Sequence, residues 1–140
     1  MATRDELKAL ATERLREAEA LFDAGHYDGC AYLCGYVVEL ALKACVCATL
    51  GVTEYADGGS KKLKDALRTH DFDDLKLLAG MEQAFTADPK LLANWSVASK
   101  WRPERRYERV GSYDQAAARE ILDAVRSRPD GVLECIAARW

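Results

Sequence analysis

Residues 30–50 read CAYLCGYVVELALKACVCATL, a run of 21 residues in which Glu39 and Lys43 are the only charged side chains. Gly51 follows and stops it. A run of this length raises the question of a membrane span. Each of the two central charges would cost about 2.5–3.5 kcal/mol at the middle of a bilayer, and the chain has no second run of this kind. A buried helix over about Tyr27–Leu50 is therefore the reading, with no membrane partner. A helix apolar nearly all round must be covered on several sides: the core on one, a second subunit on another. Tyr32, Tyr36, Glu39 and Lys43 are assigned to that subunit interface. Glu39 and Lys43 stand at i and i+4 in the favourable order, so they can also pair with each other.

The sequence on either side reads helical as well. From Thr3 to Ala24, Leu7, Leu10, Ala11, Leu15, Ala18, Leu21 and Phe22 recur at three- and four-residue steps. Thr3 and Glu6 have the spacing of a capping box, and Gly25 ends the helix. Residues 52–60 form a Gly-rich loop, followed by a short basic helix over about Lys61–Arg68. Asp71 is an N-cap, with Asp74 at the third helical position, for a helix running to about Phe85 with Leu75, Leu77, Leu78 and Met81. Asp88 and Pro89 start another helix through Trp95. Ser112 or Asp114 opens a helix through Val125, Pro129–Gly131 interrupt it, and Val132–Arg139 finishes the chain. No stretch shows sustained period-two alternation. The fold class is all-α, a four- to five-helix up-and-down bundle with short extra helices.

Composition bounds the function. With 140 residues, 49% hydrophobic and 31% charged, the chain fits one packed domain over 1–140 and excludes a disordered or low-complexity polymer. The opening residues alternate charge and apolar groups and do not form an export signal, so a cytoplasmic location is expected. A net charge of -3 argues against a general basic coat. The charge is uneven, however. Residues 1–60 carry a net of -5, and the segment 99–109, SKWRPERRYER, sets five basic groups against two acidic ones. Cys30, Cys34, Cys45, Cys47 and Cys135 are odd in number and mostly inside the apolar run. Along one helix the two pairs lie too far apart to share a metal, so they read as small buried hydrophobes. No metal or cofactor is expected.

Two places could carry chemistry. His70 follows Arg68 and precedes the Asp71 cap, so it is either a backbone-bonding residue or, with Arg68, a candidate acid/base and anion contact. His26, at the first helix turn, reads as a capping or surface residue. Trp101, Arg102, Arg105, Arg106, Tyr107 and Arg109 interleave rings that can stack on bases with guanidiniums that can fork onto phosphate. The alternative for that segment is a connector whose tryptophan packs on the core and whose arginines pair with Glu104 and Glu108. Gly58-Gly59-Ser60-Lys61 lacks the spacing of a phosphate loop and reads as a turn.

The order of four motifs resembles the HEPN domains (higher eukaryotes and prokaryotes nucleotide-binding). They are A-x-x-L-F-x-x-G-x-Y at Ala18–Tyr27, GYVVELALKA at Gly35–Ala44, THDFDDL at Thr69–Leu75 and WRPERRY at Trp101–Tyr107. The resemblance implies a helical bundle, usually a homodimer with a cleft between subunits. It also implies a nucleotide or RNA ligand, a toxin–antitoxin or defence setting, and a possible nucleotidyltransferase-type partner. Ribonucleases of that family carry an R-x(4–6)-H motif. Here neither His26 nor His70 has an arginine five to seven positions before it, and no histidine follows Trp101. Lys64 to His70 is the nearest substitute, and lysine lacks the guanidinium fork. Three readings follow: a non-catalytic binding module, a ribonuclease using His70 with Arg68 or Arg106, and a purely structural homodimer or scaffold.

Overall fold

A computed structural model describes residues 2–55, 61, 65 and 67–140, and among these there is no strand. Helix α1, Arg4–Asp23, begins with the expected reciprocal cap. The Thr3 amide donates to Glu6 Oε2 at 2.7 Å and the Glu6 amide to Thr3 Oγ1 at 3.1 Å. Gly25 takes a left-handed φ of 83° and turns the chain into α2, Tyr27–Leu50. His26 sits exposed at the N-cap of α2 with no side-chain capping bond. The two helices form an antiparallel hairpin. Its open end is tied by the Arg4 amide to the Thr53 carbonyl at 2.8 Å and the Tyr55 amide to that of Ala2 at 3.0 Å.

Helix α2 is the axis of the molecule. It packs against α1 and against four further helices introduced here: α3 (Phe72–Leu78), α4 (Pro89–Ala98), α5 (Gln115–Arg126) and α6 (Val132–Ala137). Val37, Val38, Ala41, Leu42 and four of the five cysteines lie buried along it. By length and composition α2 could cross a membrane, yet 61% of its most apolar window is buried inside the bundle. Long helices α1, α2, α4 and α5 with two short ones give the all-α bundle.

Asp71 caps α3 as expected, its Oδ1 accepting from the amides of Asp73 and Asp74 at 2.8 and 3.2 Å. The helix does not continue to Phe85. It ends at Leu78, where Gly80 takes φ 68° and the Met81 amide reaches back to the Lys76 carbonyl at 2.9 Å, a Schellman stop. Leu77, counted among the apolar contacts of a longer helix, is consequently exposed, while Met81 and Phe85 enter the core from the turn and from the 3₁₀ turn Ala84–Thr86. Asp88 caps α4, and of the two candidates for α5 it is Asp114 that caps, accepting from the Ala117 amide at 2.8 Å. The last helix stops at Ala137, short of the expected Arg139. Half of the basic helix expected over Lys61–Arg68, Lys64 among it, and the Gly58–Ser60 turn lie outside the described residues.

Candidate functional site

One face of α2 organises the site. Tyr32, Tyr36, Glu39 and Lys43 follow at steps of four, three and four, which places them on a single helical stripe. Gly35 lies beside that stripe, and its missing side chain makes a slot for the Trp101 indole. A Cβ on Gly35 would fall 2.0 Å from the ring. Tyr36 meets Trp101 edge to face at a centroid distance of 5.1 Å, and Phe72 stacks on it at 5.6 Å. Trp101, read from sequence as a ligand-stacking ring, is thus 1% exposed and belongs to the core. The slot at Gly35 removes it from any ligand's reach.

The rest of the basic segment divides. It forms a 3₁₀ turn, Pro103–Tyr107, between α4 and α5. Arg102 donates to the carbonyls of Ser99 and Trp101 at 3.1 and 3.0 Å, closing the end of α4. Arg105 donates to the Tyr113 hydroxyl and to the Lys100 carbonyl, and lies 3.6 Å from Glu108. These two arginines follow the connector reading. Arg106, Tyr107 and Arg109 do not: all three are exposed, Tyr107 by 77%, and among the described residues neither arginine has a carboxylate partner. The Arg106 guanidinium lies 4.9 Å from the centre of the Tyr107 ring. Hydrogen bonding to Tyr107, and to a lesser extent to Tyr32, raises its pKa further, so it is a permanent cation.

A cleft of about 280 Å³ opens between this turn and the start of α2, with Tyr32 and Gly29 on one side and Arg106, Arg109 and Val110 on the other. Asp28 holds it in shape. Its two carboxylate oxygens accept from the amides of Gly111 and Tyr113 at 2.7 and 2.8 Å, tying the 109–113 loop to the first turn of α2.

At the other end of the stripe Glu39 is a buried carboxylate, 3% exposed. Its Oε1 bonds to Nδ1 of His70 and lies 3.7 Å from Nζ of Lys43. The expected Glu39–Lys43 pairing is present, and His70 of the same chain is a second partner of the carboxylate. Lys43 is itself mostly covered and lies over the Tyr55 ring at 5.2 Å. Tyr32 and Tyr36 are half-buried, with hydroxyls 3.1 Å apart. His70 keeps over half its side chain exposed, and Arg68 is exposed close by in sequence.

Sequence reasoning missed Asp28, Tyr113 and the Glu39–His70 bond. All three depend on contacts spanning 8 to 85 residues of separation, which no local pattern encodes. A family model described as HEPN domain matches residues 5–127. The comparison with curated proteins gave no match, and neither did the comparison with solved structures.

Proposed function

This chain belongs to the HEPN domain family, and from that premise we propose that it is a non-catalytic binding module for a nucleotide or single-stranded RNA, gripping phosphate at the 106–109 turn. The observation that carries this reading is the split within the basic segment: Arg106, Tyr107 and Arg109 stand exposed beside an open cleft while Arg102 and Arg105 are spent on the fold. Two guanidiniums can fork onto phosphate oxygens, and Tyr107 and Tyr32 offer ring faces to a base. The spacing of arginine and histidine supports a non-catalytic role, since neither histidine has the arginine that the family's ribonucleases place before it. The setting we propose is a toxin–antitoxin or defence pair, with a homodimer and a nucleotidyltransferase-type protein as partners.

Fluorescence anisotropy with a labelled 12-nucleotide RNA and a labelled adenine nucleotide, at low and high salt, tests it. Saturable binding that weakens with salt is expected, and replacing Arg106 and Arg109 together by Ala should weaken it about tenfold with the helical circular dichroism unchanged. Binding that survives the double replacement, or no binding at all, refutes it.

A second reading is favoured by one contact. Glu39, buried in α2, holds His70 through Nδ1 and leaves Nε2 as the free nitrogen of an exposed ring, an arrangement suited to acid/base chemistry. On that reading the protein is a metal-independent ribonuclease with Arg68 or Arg106 facing the phosphate. Turnover of RNA that disappears in His70→Ala would establish it over the binding module.

A further inference from the structure

The face of α2 carries the cleft onward to a histidine. Tyr32 lines the cleft, Tyr36 and Glu39 follow it on the same helical stripe, and Glu39 holds His70. Along this line side chains stay within a ligand's reach: Tyr32 and Tyr36 are half-buried, and the His70 side chain is 56% exposed. The two phenol oxygens lie 3.1 Å apart, with Tyr32 donating to Tyr36, so the Tyr36 proton is left for another acceptor. Tyr32 and Glu39 are seven residues apart, about 10 Å of helix rise. That is about three phosphates at the duplex spacing of about 3.4 Å per strand, and fewer in an extended strand. A mononucleotide held at the turn stops short of His70, and a short strand reaches it.

His70 differs in kind from the arginines of the turn. A carboxylate only accepts, so the bond to Glu39 places a proton on Nδ1. In the neutral ring Nε2, on the far side, is then an acceptor with no proton of its own. A phosphate presents acceptors alone and has nothing to give it. In a nucleic-acid strand the donor carried by every nucleotide, whatever its base, is the ribose 2′-hydroxyl, and it is the group that distinguishes RNA from DNA.

We propose that His70 reads a ribose 2′-hydroxyl in a strand laid from the 106–109 turn along Tyr32 and Tyr36, so that the site selects RNA over DNA. This rests on the phosphate-gripping reading for the strand's anchorage, and it narrows the ligand from nucleotide or RNA to an oligoribonucleotide. Tyr36 donates to a phosphate on the way. Glu39 is a positioning residue, because it holds the tautomer in which Nε2 accepts. An imidazolium at the same place would grip phosphate and be indifferent to the sugar.

The test uses three labelled 12-nucleotide oligoadenylates that differ only at the 2′ position: ribose, deoxyribose and 2′-O-methylribose. Anisotropy at low salt should show RNA binding about fivefold more tightly than either of the others, the worth of one hydrogen bond. The 2′-O-methyl strand keeps the oxygen and has no proton to give, and this comparison needs no substitution in the protein. His70→Ala, at an exposed position, should bring RNA down to the DNA value, with DNA affinity within twofold and the helical circular dichroism unchanged. Equal binding of RNA and DNA, RNA matched by its 2′-O-methyl form, a preference that survives His70→Ala, or no binding of any strand overturns the proposal. The phosphate reading is separated by the double replacement of Arg106 and Arg109 with Ala. If RNA affinity survives it while His70→Ala abolishes the sugar preference, the turn is not the anchor and His70 still reads the sugar. If it weakens RNA and DNA alike and the unaltered protein shows no sugar preference, the turn is the anchor and the role given to His70 is wrong.

Discussion

The middle of α2 and the 102–109 turn are built from the same kinds of side chain, aromatic rings and ionised groups, and they use them in opposite ways. In α2 the ring of Trp101 is pressed into the Gly35 slot and the carboxylate of Glu39 is closed off by Lys43 and His70. In the turn, Tyr107 and two arginines face solvent, and among the described residues no carboxylate lies within ion-pair distance of those arginines. A buried charge must find its partner inside the fold, because water cannot reach it. An exposed guanidinium needs none, and is left able to bind something else. The boundary between the two regimes falls inside one heptapeptide, Trp101–Tyr107, whose first residue is core and whose last is surface.

The sharpest way to break this contrast is Gly35→Ala. The new Cβ would sit 2.0 Å from the Trp101 ring in a helix whose backbone cannot move aside, so the indole must leave its slot. The expected loss is about 3 kcal/mol or more in urea denaturation, at the upper end of overpacking effects. A loss under about 1 kcal/mol would mean that the indole is not seated there and that Trp101 belongs with the exposed residues of the turn. Glu39→Gln comes next. Removing one member of a buried pair typically costs about 3–5 kcal/mol, but the half-exposed His70 can turn to water, so about 2 kcal/mol is expected. An unchanged urea midpoint would show that His70 and Lys43 do not need the charge.

How far the contrast is legible in sequence follows the range of the contacts. The caps of α1, α3, α4 and α5 are written within four residues, and all appear where Thr3, Asp71, Asp88 and Asp114 place them. The early end of α3 turns on a glycine whose left-handed backbone outweighs the apolar spacing of Leu77, Leu78 and Met81. The segment 99–109 announces its charge by composition, yet which arginines are free depends on Tyr113, Glu108 and the backbone carbonyls of Ser99 and Lys100. Glu39 could be seen to suit Lys43, four residues on. That it would meet His70, 31 residues on, could not.

Asp28→Ala probes the hinge between the two regions. Both hydrogen bonds that hold the 109–113 loop to α2 are lost, and because the loop amides of Gly111 and Tyr113 lie near solvent the expected cost is only about 1 kcal/mol. The cleft should suffer more than the fold. Released from α2, Arg109 no longer faces Tyr32 at a fixed distance, and RNA or nucleotide affinity should fall severalfold in the anisotropy assay. Full affinity with the loop untethered would mean that the two arginines act as free cations and that the cleft contributes no shape.

The smallest effect at neutral pH, and the most specific, belongs to Tyr36. Its hydroxyl is bonded to that of Tyr32, and this bond, with burial and the nearby Glu39 charge, pushes its pKa up to about 12 from the ordinary value of 10. The fold therefore favours the protonated phenol. That stabilisation is complete below pH 10 and is lost as pH rises from 10 through 12, where the unfolded chain releases its proton before the folded one does. Tyr55 is raised in the same direction by its burial and adds to the fall. Tyr36→Phe should cost about 0.5–1 kcal/mol at pH 7, the worth of one hydrogen bond. It should also flatten part of the decline in stability between pH 10 and 12, with the share due to Tyr55 remaining. Urea denaturation of both proteins at pH 7, 10 and 11.5 measures the difference. Parallel declines would mean that the fold does not hold the Tyr36 phenol protonated, and the stripe that joins the buried carboxylate to the open cleft would then belong to the surface regime at that position.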